Sequence, residues 1–172
     1  ELRAGDRSTP YSMVVASSQG DLKANEIALT AWCGDDLGAQ TGDEVTLSFF
    51  VPDRGQRLAT RRSRFRVKEI VPMDSPLVDR EMMPPYPGLS DAESCSEWDA
   101  GIPIALDRIR ARDETYWERY RGTPKAVIGL ATGQRLWSNR FGNLTAVRFA
   151  DSEAESRVRE AVGNAGARSL GL

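Results

Sequence analysis

The sequence predicts an α+β fold, and three observations predict it. Short β-branched and aromatic runs recur in the first half, at 11–17, 45–51 and 65–72. An apolar run of strand length, 126–130, follows late in the chain. Apolar stripes at helical spacing lie between these runs and after them.

Residues 11–17 (YSMVVAS) have the composition of a first strand, and Gly20-Asp21 turns the chain after it. The stretch 25–29 (NEIAL) suits a strand or a helix. It is read as a short strand running into a helix that starts near Thr30, because Ala31, Trp32 and Leu37 fall at helical spacing. Gly38 then sits where a left-handed cap is needed, and Trp32 becomes a core anchor.

Residues 45–51 (VTLSFFV) and 65–72 (FRVKEIVP) alternate in polarity and make a hairpin around a loop, 52–62, with a turn at Asp53-Arg54-Gly55. From Asp53 to Lys68, seven basic residues (Arg54, Arg57, Arg61, Arg62, Arg64, Arg66 and Lys68) stand against one acid. Such a run is either a solvated hairpin tip or a contact for anionic lipid headgroups or an acidic partner.

Residues 73–103 are different in kind, holding five of the chain's nine prolines. They should be extended and irregular, held by packed aromatics such as Tyr86 and Trp98. Within them Asp91, Glu93, Glu97 and Asp99 form an acidic run. It suits pairing with the basic hairpin as well as it suits calcium, since its spacing is not that of an EF-hand loop. Residues 104–120 read as a helix with Leu106, Ile109, Tyr116, Trp117 and Tyr120 on its apolar side. Five arginines against four acids over 107–121 make it an ion-paired helix rather than a nucleic-acid patch.

Residues 123–149 read as strand, short helix and strand. The apolar run 126–130 (AVIGL) leads to a helical turn opened by Thr132 and carrying Leu136 and Trp137. Gly142-Asn143 ends it, and 144–149 (LTAVRF) forms the second strand. Last, Ser152 with Glu155 forms a capping box for a helix whose stripe of Ala154, Val158, Ala161, Val162 and Ala165 should pack on the sheet.

Composition excludes several functions. A net charge of −2 lacks the basic footprint of a nucleic-acid binder. There is no Gly-x-x-x-x-Gly-Lys-Ser/Thr loop for ATP and no Gly-x-Gly-x-x-Gly for a dinucleotide. With no histidine, Ser-His-Asp and Cys-His pairs are ruled out, and none of Lys23, Lys68 or Lys125 sits in a nucleophile motif. Lys125 reads as a strand-start lysine facing solvent. The expectation is a protein that is not an enzyme and has no cofactor and no metal. Cys33 and Cys95 are too few for a four-ligand zinc site; they are either one disulfide or two buried thiols. The candidate partner surface comprises Arg57, Arg61, Arg62, Arg64, Tyr86 and Trp98. The ending RSLGL looks like the start of a further element, so a piece of a longer protein is expected.

Four stretches together resemble a known family: 25–47 (NEIALTAWCGDDLGAQTGDEVTL), 65–73 (FRVKEIVPM), 79–91 (DREMMPPYPGLSD) and 112–149. A helix followed by Gly-Asp-x-Val, a strand ending in Ile-Val-Pro, and an apolar strand before a Gln-x-Leu-Trp helix are the shared features. The order resembles the extracytoplasmic domain of FtsX-like ABC transporter permeases and is similar to the periplasmic core domain of MacB-type transporters. The resemblance implies a two-lobed α+β ectodomain on the extracytoplasmic side of the inner membrane. A mixed lobe (1–40 and 121–172) would carry an inserted β-rich lobe (41–120). It further implies a cytoplasmic ATPase as partner of the parent permease, a second permease copy, and an extracytoplasmic substrate or protein partner. Substrates in such families are lipoproteins, peptides, toxins, or cell-wall enzymes and their activators. The proline-rich stretch around Cys95 has no counterpart in the better-known members, so the substrate does not carry over. The alternatives are a free-standing secreted domain that binds carbohydrate or protein through Trp98, Trp117, Tyr86 and the acidic run, and a carboxylate hydrolase.

Overall fold

The structure is a computed structural model that describes residues 1–52, 57–99, 101, 104–149 and 151–164. Arg54, part of the basic run, lies outside these. The fold is α+β. Seven strands among the described residues form one mixed sheet: β1 (Leu2–Ala4), β2 (Arg7–Thr9), β3 (Val14–Ser17), β4 (Glu26–Thr30), β5 (Glu44–Pro52), β6 (Leu58–Val71) and β7 (Ala126–Gly129). Their spatial order is β2-β1-β5-β6-β4-β7-β3. The pairs β4/β6 and β3/β7 are parallel and the rest antiparallel. Strands β5 and β6, from the 41–120 segment, thus lie in the same sheet as strands from the chain's beginning and end.

Both faces of the central sheet are covered. On one face Ile27, Leu29, Val45, Leu47, Phe65, Val67, Ala126 and Ile128 pack with Cys33 and Leu37 of α1 (Ala31–Leu37). On the other, Ala28, Val71 and Val127 meet Val78, with Leu22 and Leu77 alongside. A strand buried on both sides has no polar face to alternate, which is why β7 reads as a continuous apolar run. The register of β4 on β6 slips by one residue, Ile27 opposing Val67 and Ala28 opposing Glu69. That bulge at Lys68 sends Val71 to the opposite face from Phe65 and Val67, because side chains alternate with period two.

Helix α1 starts where the pattern places it. Thr30 Oγ1 accepts the Cys33 N–H at 3.2 Å, and Gly38 closes the helix in the left-handed region at φ 64°. Trp32 packs against the core with its ring 4.6 Å from that of Tyr116.

Five expectations are corrected. The predicted second strand at 144–149 is an exposed, unladdered stretch, so the late strand-helix-strand unit is only β7 followed by α3 (Leu130–Trp137). The neighbours of β7 are instead β3 and β4, brought in from the first thirty residues. Thr132 does not cap α3; its hydroxyl donates to the Ala24 carbonyl, and the helix stops at Trp137. The helix expected over 104–120 is α2 (Ala111–Tyr120) alone, with a 3₁₀ turn at Leu106–Arg108 before it. Arg110 is extended at φ −99°, ψ 159°, and its N–H donates to Asp113, which starts the helix there. The hairpin loop is shorter than expected, since β6 already begins at Leu58. The final helix, α4 (Ser152–Asn164), forms, but Asp151 rather than Ser152 takes the capping N–H, from Ala154. It also does not pack on the sheet: Val158 and Val162 are 45% and 50% exposed.

Candidate binding cavity

The site is built around a chain of charges that runs from the exposed Arg110 and Arg112 to the buried Asp36, Asp113 and Lys125. Asp113, in the first turn of α2, accepts from Arg110 Nε at 2.7 Å and Arg110 Nη2 at 3.0 Å. Arg110 Nη2 also donates to Asp36 of α1 at 2.6 Å, and Arg112 reaches Asp36 at 3.3 Å and Asp35 at 2.6 Å. From the other side, Lys125 at the entrance to β7 places Nζ 3.4 Å from Asp113 Oδ1 and donates to Thr9 Oγ1 of β2 at 3.2 Å. The same ammonium sits 4.3 Å from the Trp32 ring centre and 4.7 Å from that of Tyr116. The network thus ties α1, α2, β2 and β7 together.

The expectation that Lys125 faces solvent is overturned, since it is 4% exposed. Burial pushes its ammonium below the ordinary lysine range, and the Asp113 charge acts against that shift. Burial alone would raise the Asp113 carboxyl; the hydrogen bonds from Arg110 and the charge of Lys125 outweigh it and hold the group low. Two aromatic faces and a carboxylate around one buried ammonium compensate the charge where water cannot.

Beside this network lies a cavity of about 550 Å³. Asp113 and Lys125 form its floor, and Phe49, Trp98, Trp117 and Trp137 its walls, while Arg62 and Arg108 line its rim. Trp98 stands edge-on to Trp117 at 5.0 Å and to Tyr11 at 6.0 Å. The Trp117 indole donates to the Ala92 carbonyl at 3.1 Å, whereas Trp98 Nε1 is buried with no partner among the described residues. A second hollow of about 580 Å³ shares Met13, Met83 and Trp137 with the first and adds Tyr86 and Phe141. Such walls offer aromatic and thioether surface with few polar handles, which is the make-up of a binding pocket. The charged groups at the floor are satisfied by one another.

The residues singled out from the sequence are partly brought together. Arg62 and Trp98 both line the first cavity; Tyr86 lines the second. Arg57, Arg61 and Arg64 are exposed on the hairpin. Cys33 and Cys95 are two free buried thiols. The acidic run serves its own turns: Asp91 accepts from the Gly88 N–H and Glu97 from the Glu93 N–H. Among the described residues no group of three or more metal-ligating side chains is assembled. Asp36, Asp113 and Arg110 were missed by sequence reasoning. Only Asp113 carries a local signal, an acid in the first turn of a helix.

No family model matches the chain, and no curated protein matches it.

Proposed function

We propose that this chain is a non-catalytic extracytoplasmic domain of an FtsX-like ABC transporter permease, on the periplasmic side of the inner membrane. In this reading a cytoplasmic ATPase drives a pair of permeases, and the domain passes the conformational change to an extracytoplasmic substrate or partner. The motif order over most of the chain supports it. So does one structural observation: over 141–149 the apolar side chains lie outside the domain's own core. Phe141 is 84% exposed, Leu144 54% and Val147 64%. A stretch like this is what a domain presents when it normally lies against further protein. The charge network that ties α1, α2, β2 and β7 together supports the same reading, because a domain that transmits force must move as one body.

The test is on the parent transporter. Crosslinks engineered between two ectodomains should stop transport while leaving ATP binding intact. Undiminished transport would sink the proposal, as would a parent frame with no apolar spans of about 20 residues flanking this segment.

A second reading, a free-standing secreted domain that binds carbohydrate or protein, is favoured by the aromatic cavity. It predicts that binding survives in the chain alone and is lost on Trp117→Ala.

A further inference from the structure

The geometry points to the outward face of the β5–β6 hairpin as a docking surface for the headgroup layer of an anionic lipid bilayer. The chain start pairs with β5 only as far as Ser48, and β4 meets β6 only from Arg66 onward. Residues 49–52 and 58–61 therefore pair with each other alone and project beyond the sheet. Four residues of strand extend about 13 Å.

The two faces of this projection differ. Register places Phe50 opposite Thr60, Ser48 opposite Arg62, Thr46 opposite Arg64 and Glu44 opposite Arg66, all on the face turned away from the core. At the far end of that face, Phe50 is 45% and Leu58 40% exposed. Behind them Arg62, Arg64 and Arg66 follow at every second residue, about 7 Å apart. Glu44 stands 3.9 Å from Arg64 with both side chains mostly exposed, and Glu26 of β4 is registered beside Arg66. Arg62 has no ion pair among the described residues, and Arg66 reaches only the Gly42 carbonyl, at 3.5 Å.

Exposed Phe50 and Leu58 backed by a row of exposed arginines, of which Arg64 alone has an ion-pair partner among the described residues, match the layering of a bilayer surface, where acyl chains lie beneath phosphates. An acidic protein is the weaker match, because of the row only Arg62 borders a hollow, while Arg64 and Arg66 line none of them and stand exposed on the strand. The inference stands apart from the transporter reading, since it is measured on this chain without its parent.

The experiment is co-sedimentation of the chain with phosphatidylcholine vesicles, with and without about one third phosphatidylglycerol. Binding should require the anionic lipid and fall away near 1 M salt, where screening shortens to about 3 Å. Arg62→Ala/Arg64→Ala should weaken it about 25-fold, at roughly fivefold per arginine. Phe50→Ser/Leu58→Ser should weaken it several-fold. All four residues are exposed, and an unchanged melting temperature verifies that the variants fold. Equal binding to both vesicle types, or no loss in the arginine variant, overturns the inference. Displacement by poly-glutamate together with no effect of the Phe50/Leu58 variant also overturns it and marks an acidic protein as the occupant.

Discussion

Lys125 Nζ lies 3.4 Å from Asp113 Oδ1, with 4% and 7% of the two side chains exposed. Residues twelve apart in sequence thereby join the start of β7 to the first turn of α2. The partners are not equivalent, because Asp113 also holds Arg110 while Lys125 has no other carboxylate within bonding distance among the described residues.

That asymmetry gives unequal costs. Asp113→Asn leaves a buried ammonium with no carboxylate beside it and should cost about 3 kcal/mol in urea unfolding. Lys125→Met leaves Asp113 with Arg110 and should cost no more than about 1 kcal/mol; the double variant should resemble Lys125→Met. Because the Asp113 carboxyl is held low in the folded state, its contribution is fully present above about pH 4 and is lost as pH falls through the folded value. Asp113→Asn should flatten the acid limb of the stability profile, and an unaltered limb would count against the pairing.

Buried acids shape the alkaline limb: the two thiols and, above about pH 10, the Tyr116 hydroxyl, which burial also pushes up. Burial pushes Cys33 and Cys95 up to about 12. A raised folded value means stability that is complete below the unfolded thiol pKa, near 8.5, and lost as pH rises toward 12. Lys125 works the other way, since the native state sheds its proton first and gains stability up to about pH 10.4. Two thiols outweigh one amine, so the melting temperature should fall between about pH 9 and pH 11. Cys33→Ala/Cys95→Ala should lessen that fall; an identical slope refutes the assignment.

Helix α3 rides close on β3. A Cβ built on Gly133 would stand 2.1 Å from Ala16 Cβ, a contact neither backbone can relieve by rotating a side chain. Gly133→Ala should destabilise by about 1–3 kcal/mol. Adding Ala16→Gly should return part of it, and thermal melts of the three variants check this. Equal melting temperatures would show that the helix can lift off.

Two of the three indoles of the cavity wall, those of Trp117 and Trp98, should respond differently to loss of their N–H. Trp117→Phe forfeits the bond to Ala92 and leaves a carbonyl that Arg121 also reaches, at 2.7 Å, for a cost of about 1 kcal/mol. Trp98→Phe removes a buried donor that has no partner among the described residues and should be neutral or stabilising. Chemical denaturation separates the two; a larger loss at Trp98 would reveal a partner for that indole.

Legibility in the sequence followed locality. α1 was readable from end to end, because its cap, its apolar spacing and its left-handed glycine all lie within nine residues. Strand β7 was readable because burial on both faces strips it of polar residues. The stretch 144–149 misled, since a β-branched run satisfies strand propensity with no strand left to pair with. The edge that β7 could have offered it is filled by β3. In α4 the amphipathic stripe predicted a helix correctly and its packing wrongly, because a stripe states which face wants cover and not where cover is found.

By itself the sequence determined the α+β mixture, the hairpin and its row of arginines, and the absence of histidine and phosphate-loop chemistry. These depend on residue type and near-neighbour spacing. Only the tertiary structure decided that Lys125 is buried rather than solvated and that Asp113 meets it while Arg110 links Asp113 to Asp36. The same is true of the four aromatics around one cavity. Those relationships join residues up to 116 apart, as Lys125 and Thr9 are. Such a contact leaves no periodicity along the chain, because it is set by which strands become neighbours in the sheet.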